Sequence, residues 1–200
     1  MRRPAPAASS PRPSGPLPGA PARHLRGRVV VTEVLRGGHR DDDLVAVEEP
    51  LEVRLAGEAV AILLRTPGDD ERLALGFLFS ERIISSAADV SSVHHCGRLG
   101  AEGYGNVIDV APASSAAIDW ARLDGARRTF AATSACGVCG RRTVGDLLDG
   151  LPPLPPSPVL PAAAIFAAVA ALRSNQPAFA ATGGTHCAAL FAPDGALVAA

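Results

Sequence analysis

Apolar and polar positions alternate over short runs through the first half of this chain. Leu51, Val53 and Leu55 alternate with Glu52 and Arg54, the two-residue period of a half-buried strand. Ala56-Gly57-Glu58 reads as a tight turn, and residues 59–64 as the returning strand of a hairpin. Upstream, Val29-Val30-Val31-Thr32-Glu33-Val34 and Leu44-Val45-Ala46-Val47 read as two strands on either side of Asp41-Asp42-Asp43. Downstream, residues 91–96 and 104–110 read as two more, joined by a polar, glycine-rich turn region.

The period changes at Thr66-Pro67-Gly68-Asp69-Asp70-Glu71. Proline sets the turn, and three acids crowd a first helical turn, where the helix dipole favours them. Residues 72–81 continue as a helix that is apolar almost all round, which predicts a buried helix. Residues 128–133 read as extended, 142–148 as helical, and 161–173 as an alanine-rich helix opened by Pro161. Pro193-Asp194-Gly195 is a hairpin turn, and the chain stops at Ala200 inside the strand that follows it. The expectation is that a C-terminal part is missing. The predicted fold class is α+β: a disordered Pro/Ala/Arg-rich tail over 1–27, a strand-rich domain over 28–112, and an incomplete second domain over 113–200.

Composition adds a charge asymmetry. Residues 1–40 hold eight arginines and one glutamate, whereas residues 41–89 hold four arginines against twelve acids. Every basic residue is arginine, alongside heavy use of alanine and glycine, which reads as compositional bias and not as a nucleic-acid signal. Aromatics are scarce and no nucleic-acid motif accompanies the basic tail, so no nucleic-acid partner is expected. No run approaches the ~18–20 apolar residues of a membrane span. The N-terminus has Arg2 and Arg3 without an apolar stretch behind them, so a cytoplasmic protein with reduced thiols and no membrane partner is expected.

The chemistry concentrates in Thr133-Ser134-Ala135-Cys136-Gly137-Val138-Cys139-Gly140-Arg141-Arg142. A free thiol has a pKa of about 8.5, and CxxC geometry, nearby cations and a helix N-terminus all lower it. Arg141 and Arg142 supply cations, the helix expected over 142–148 would supply the N-terminus, and Gly137 and Gly140 leave the sulfurs accessible. Four readings fit such a pair. Thioredoxin-like redox chemistry wants a βαβ context that the strand-rich upstream region does not provide. A zinc site needs four ligands. His94, His95, Cys96, His186 and Cys187 could add to the pair, but none forms a second CxxC or HxxxH. His94 and His95 read as strand residues and Cys187 as a small core residue. A zinc deaminase requires H-x-E and P-C-x-x-C; Ala135 precedes the first cysteine and no H-x-E occurs. The fourth reading is a persulfide carrier, which accepts sulfur by thiolate attack on a donor persulfide.

Five segments together resemble the formate dehydrogenase accessory sulfurtransferases, the FdhD family. They are Glu48-Glu49-Pro50-Leu51-Glu52-Val53, Arg65-Thr66-Pro67-Gly68-Asp69-Asp70, Leu73-Ala74-Leu75-Gly76-Phe77-Leu78, the cysteine loop, and Thr182-Gly183-Gly184-Thr185-His186. The resemblance implies a sulfur carrier with Cys136 as the persulfide-bearing cysteine and Cys139 as its partner. The sulfur would come from a cysteine desulfurase and pass to the molybdenum cofactor, in its bis-molybdopterin guanine dinucleotide form, as formate dehydrogenase requires. It also implies a homodimer at full length, and a cytidine-deaminase-like second domain that has lost its zinc site, so no metal of its own. Thr182, Gly183, Gly184 and His186 are the candidate cofactor-facing residues. The family's E-D-x-G-R-H-N segment and the cofactor-binding loop beyond it have no counterpart before Ala200. The alternatives are a zinc-binding or thiol redox module built on the same two cysteines, and a non-enzymatic assembly scaffold.

Overall fold

The computed structural model describes residues 25–97, 104–114, 116, 118–120, 123, 153, 154, 156 and 159–200. The strand-rich half is a mixed α+β arrangement, in agreement with the predicted class. Strands β1 (Val29–Arg36) and β2 (His39–Ala46) form an antiparallel hairpin. Strands β3 (Glu49–Leu55), β4 (Glu58–Arg65), β5 (Val90–His95) and β6 (Val107–Pro112) form a separate four-stranded sheet in the order β4-β3-β6-β5. Within it β3 runs parallel to β6, while the β3/β4 and β5/β6 pairs are antiparallel.

The alternation at 51, 53 and 55 gives the one-sided burial expected of a half-buried strand, with Glu52 and Arg54 only partly covered. All three side chains are fully buried, with Ile108 and Val110 of β6 beside them in one core. Helix α1 (Asp70–Ser80) closes this core with Ala74 and Leu78, both at 0% exposure. The sequence predicts a helix buried all round, but the structure buries only one stripe of it. Leu73, Leu75 and Phe77 are half-buried and Phe79 is 57% exposed, because α1 packs one stripe against the sheet.

The end of α1 is a Schellman-type turn. Arg82 takes a positive φ of 57°, its amide donates to Phe79 and the Ile83 amide donates back to Leu78. Ile83 and Leu78 then meet in the core, the apolar contact that accompanies this motif.

The β1/β2 hairpin extends through the acidic run that the sequence pattern treats as a break. Gly37 and Gly38, both at positive φ, supply the turn. Arg36 pairs with Asp41 at 3.1 Å and Asp43 at 2.7 Å, and Arg40 pairs with Glu33, so cross-strand ion pairs offset the clustered acids.

Residues 25–28 lead into β1. Leu25 is buried with Val29 and Ala178 in a second, smaller core, against which Leu44 and Ala181 also pack. That core ties the hairpin to the C-terminal part. There, α2 (Ala162–Ser174) and α3 (Pro177–Thr182) precede a short hairpin of β7 (Leu190–Phe191) and β8 (Leu197–Ala199). The turn expected at Pro193-Asp194-Gly195 joins these strands, with Asp194 accepting from the Ala196 amide at 3.0 Å. Residues 179–181, an apolar run by sequence, belong to α3. Among the described residues, no helix is long and apolar enough to cross a membrane.

Candidate functional site

Cys136 and Cys139 lie outside the described residues, as do the expected extended run over 128–133 and helix over 142–148. The second predicted element, residues 182–186, is described. Gly183 caps α3 in the left-handed conformation at φ 68°, its amide donating to Phe179 at 2.7 Å. A glycine is required there by helix termination. The Gly184 amide donates to the Thr182 hydroxyl at 3.1 Å, and that hydroxyl donates to the Ala178 carbonyl at 2.8 Å. Both glycine amides are therefore engaged within the turn, and the exposed His186 is the group left facing outward.

Two of the sequence segments quoted above converge elsewhere. Glu49 opens β3 and Arg65 closes β4, directly opposite each other in register. The Arg65 side chain, 6% exposed, binds Asp70 of α1 in a fork, Nε to Oδ1 at 3.0 Å and a terminal nitrogen to Oδ2 at 3.1 Å. It also reaches Glu49 at 3.3 Å, the Gly105 carbonyl at 3.0 Å and Asn106 Oδ1 at 3.2 Å. The guanidinium is engaged by the protein, so Arg65 locks the strand, helix and turn together. Asp70 and Asn106 escaped the sequence reading as its partners; only the pairing of β3, β4 and β6 brings them together.

Gly68 sits beside this lock at φ 126°, where a Cβ would run into the Arg28 guanidinium. Arg28 binds Asp69 at 2.7 Å and so fastens the N-terminal hairpin to the start of α1. A cleft of about 330 Å³ opens between that helix start and β5, lined by Asp69, Asp70, Arg72, Val93 and His95 among others. His95 Nε2 lies 3.4 Å from Asp70, while its Nδ1 is buried without a hydrogen-bond partner among the described residues.

The opposite face of the sheet carries a second polar group. Glu52 binds Arg54 at 2.6 Å. The hydrogen bond and charge of Glu52, then more weakly the nearby Cys96 and Asp109, raise the Arg54 pKa above its already high ordinary value. Asp109 stands opposite Arg54 on β3 and opposite His94 on β5. The ligand atoms of His94, Cys96 and Asp109 all lie within 4.8 Å of one another.

Comparison with known proteins covers most of the chain. Residues 46–200 match the model of the FdhD/NarQ family. A protein of Anaeromyxobacter dehalogenans strain 2CP-C, named sulfur carrier protein FdhD, is 49% identical over 173 residues, covering 86% of this chain and 60% of that protein. A protein of the same name from Mycolicibacterium paratuberculosis is 41% identical over 160 residues, covering 78% of this chain and 58% of that one. The chain thus spans about 60% of the length of these curated relatives. Among solved structures, one described as a formate dehydrogenase accessory protein from Desulfotalea psychrophila is 26% identical with a TM-score of 0.33, covering 42% of this chain and 34% of that one.

Proposed function

This chain belongs to the FdhD/NarQ family, and from that premise we propose that it is a sulfur carrier acting through Cys136. The observation that carries the reading is the glycine-flanked Cys136/Cys139 pair inside the family match over residues 46–200. Relatives across that stretch are named sulfur carrier proteins. The donor is a cysteine desulfurase. The Cys136 thiolate attacks the outer sulfur of the donor's persulfide; the donor S–S bond breaks, the donor cysteine leaves as a thiolate, and Cys136 holds the persulfide. No electrons are gained or lost overall in that step.

Cys139 gives the pair a second capability. Its thiolate can attack the inner sulfur of the Cys136 persulfide, forming a Cys136–Cys139 disulfide and releasing the carried sulfur as hydrosulfide. The sulfur is reduced by the two electrons that the thiols give up, and a dithiol reductant restores the pair. The acceptor substrate is the molybdenum cofactor in its bis-molybdopterin guanine dinucleotide form, destined for formate dehydrogenase. Thr182, Gly183, Gly184 and His186 form the cofactor-facing turn. Because both glycine amides donate inside it, His186 would make the contact. The full-length protein acts as a cytoplasmic homodimer whose second domain is deaminase-like without zinc at Cys136 and Cys139.

The test is formate dehydrogenase activity in a strain lacking its own protein of this family. The full-length wild-type protein should restore activity, and its Cys136→Ala variant should not, despite equal accumulation. Restoration by Cys136→Ala would favour an assembly scaffold. Stoichiometric zinc bound through Cys136 and Cys139 would favour the metal-binding alternative.

A further inference from the structure

The sheet face turned away from α1 holds a constellation that this sulfur chemistry does not use. We propose that His94, Cys96 and Asp109 form a binding site for a zinc-class divalent cation. Imidazole, thiolate and carboxylate are the three ligand types zinc takes, and three protein ligands leave a fourth position for water. A set containing nitrogen and sulfur also disfavours magnesium and calcium, which take oxygen ligands.

The backbone holds the three residues in place. His94 and Asp109 are cross-strand partners on β5 and β6. The Cys96 amide donates to the Val107 carbonyl at 2.9 Å, which carries the same pairing one step further and puts Cys96 on the same face as His94. Bonds of about 2.0–2.3 Å in a tetrahedron place ligand atoms about 3.3–3.7 Å apart. Here the separations reach 4.8 Å at most, so closure by about an ångström completes the set. His94 is exposed and Cys96 half-buried, so rotation of these two side chains can supply that movement.

Two contacts favour occupancy. Asp109 Oδ1 already accepts from the Gly57 amide at 3.0 Å, the kind of outer hydrogen bond that orients a metal-binding carboxylate. Cys96 and Asp109 face the Arg54 guanidinium, the positive charge that a bound cation would meet there. Arg54, the neighbouring cation, is held by Glu52 at 2.6 Å, which offsets its charge.

Cobalt(II) titration tests this in a chain carrying Cys136→Ser and Cys139→Ser, so that the cysteine pair cannot contribute. The site predicts one cobalt per chain, a thiolate-to-cobalt charge-transfer band, and displacement by zinc. Cys96→Ser should abolish the band, and Cys187→Ser should leave it intact. His94→Ala, on an exposed strand position, should weaken binding at least about tenfold while the circular dichroism spectrum is unchanged. No charge-transfer band in the parent chain, or an undiminished band in Cys96→Ser or in folded His94→Ala, would overturn the proposal.

Discussion

Replacing Asp70 by alanine would strand one of the least exposed charges in the fold. Arg65 is 6% exposed and Asp70 9% at their side chains, and Asp70 supplies two hydrogen bonds to the guanidinium. Removing one partner of a buried ion pair costs about 3–5 kcal/mol, because the remaining charge stays desolvated. Glu49 cannot replace it, since its side chain is 46% exposed and its contact is longer, at 3.3 Å. An exposed pair of that kind contributes about 0–1 kcal/mol. Asp70→Ala should therefore cost several times as much as Glu49→Ala. With a urea slope of about 2 kcal/mol per molar, the Asp70→Ala midpoint should fall by about 1.5–2.5 M. Arg65→Met combined with Asp70→Leu should recover most of the loss, because an apolar pair of similar volume carries no stranded charge. Urea unfolding of the four proteins measures all of this. Equal costs for Asp70→Ala and Glu49→Ala would refute the assignment of Arg65 and Asp70 as the lock.

Three further outcomes follow from the same fold. Leu78→Ala, at 0% exposure, should cost about 2–5 kcal/mol by urea unfolding, whereas Phe79→Ala, 57% exposed on the same helix, should cost about 1 kcal/mol or less. Ala56 is held at φ 52° in the β3/β4 turn, so Ala56→Gly should raise stability by about 0.5–1 kcal/mol, measured as a higher melting temperature. The Asp89 carboxylate accepts hydrogen bonds from Ser85 and then Ser86, which lower its pKa. Its contribution is therefore complete above the unfolded value of about 3.9 and lost as pH falls through the lower folded value. The urea midpoint of Asp89→Asn should be less acid-sensitive than wild type below about pH 4.

Local pattern revealed the local elements. The 51/53/55 alternation, the Ala56-Gly57 turn, α1, α2 and the Pro193-Asp194-Gly195 hairpin all follow from neighbours in sequence, and the structure contains each. Pattern was weaker where partners are remote. Asp41, Asp42 and Asp43 look like a break until Arg36 and Arg40 are placed alongside them in the hairpin. The completeness of α1 burial was overestimated because apolar content does not show which stripe meets the sheet. The motifs at 48–53 and 65–70 suggested a family, but their joint role required the β3/β4 register and the turn at Gly105 and Asn106. His94 read as an ordinary strand residue because nothing in its neighbourhood announces Asp109, fifteen positions away, as its cross-strand partner.

Intact-mass spectrometry after incubation with an active cysteine desulfurase and cysteine tests the carrier claim most directly. The wild-type chain should gain the mass of one sulfur atom, removable by a thiol reductant. Cys136→Ala should gain none, while Cys139→Ala should still gain it. An unmodified wild-type chain, or an adduct that persists in Cys136→Ala and disappears in Cys139→Ala, would contradict Cys136 as the carrier.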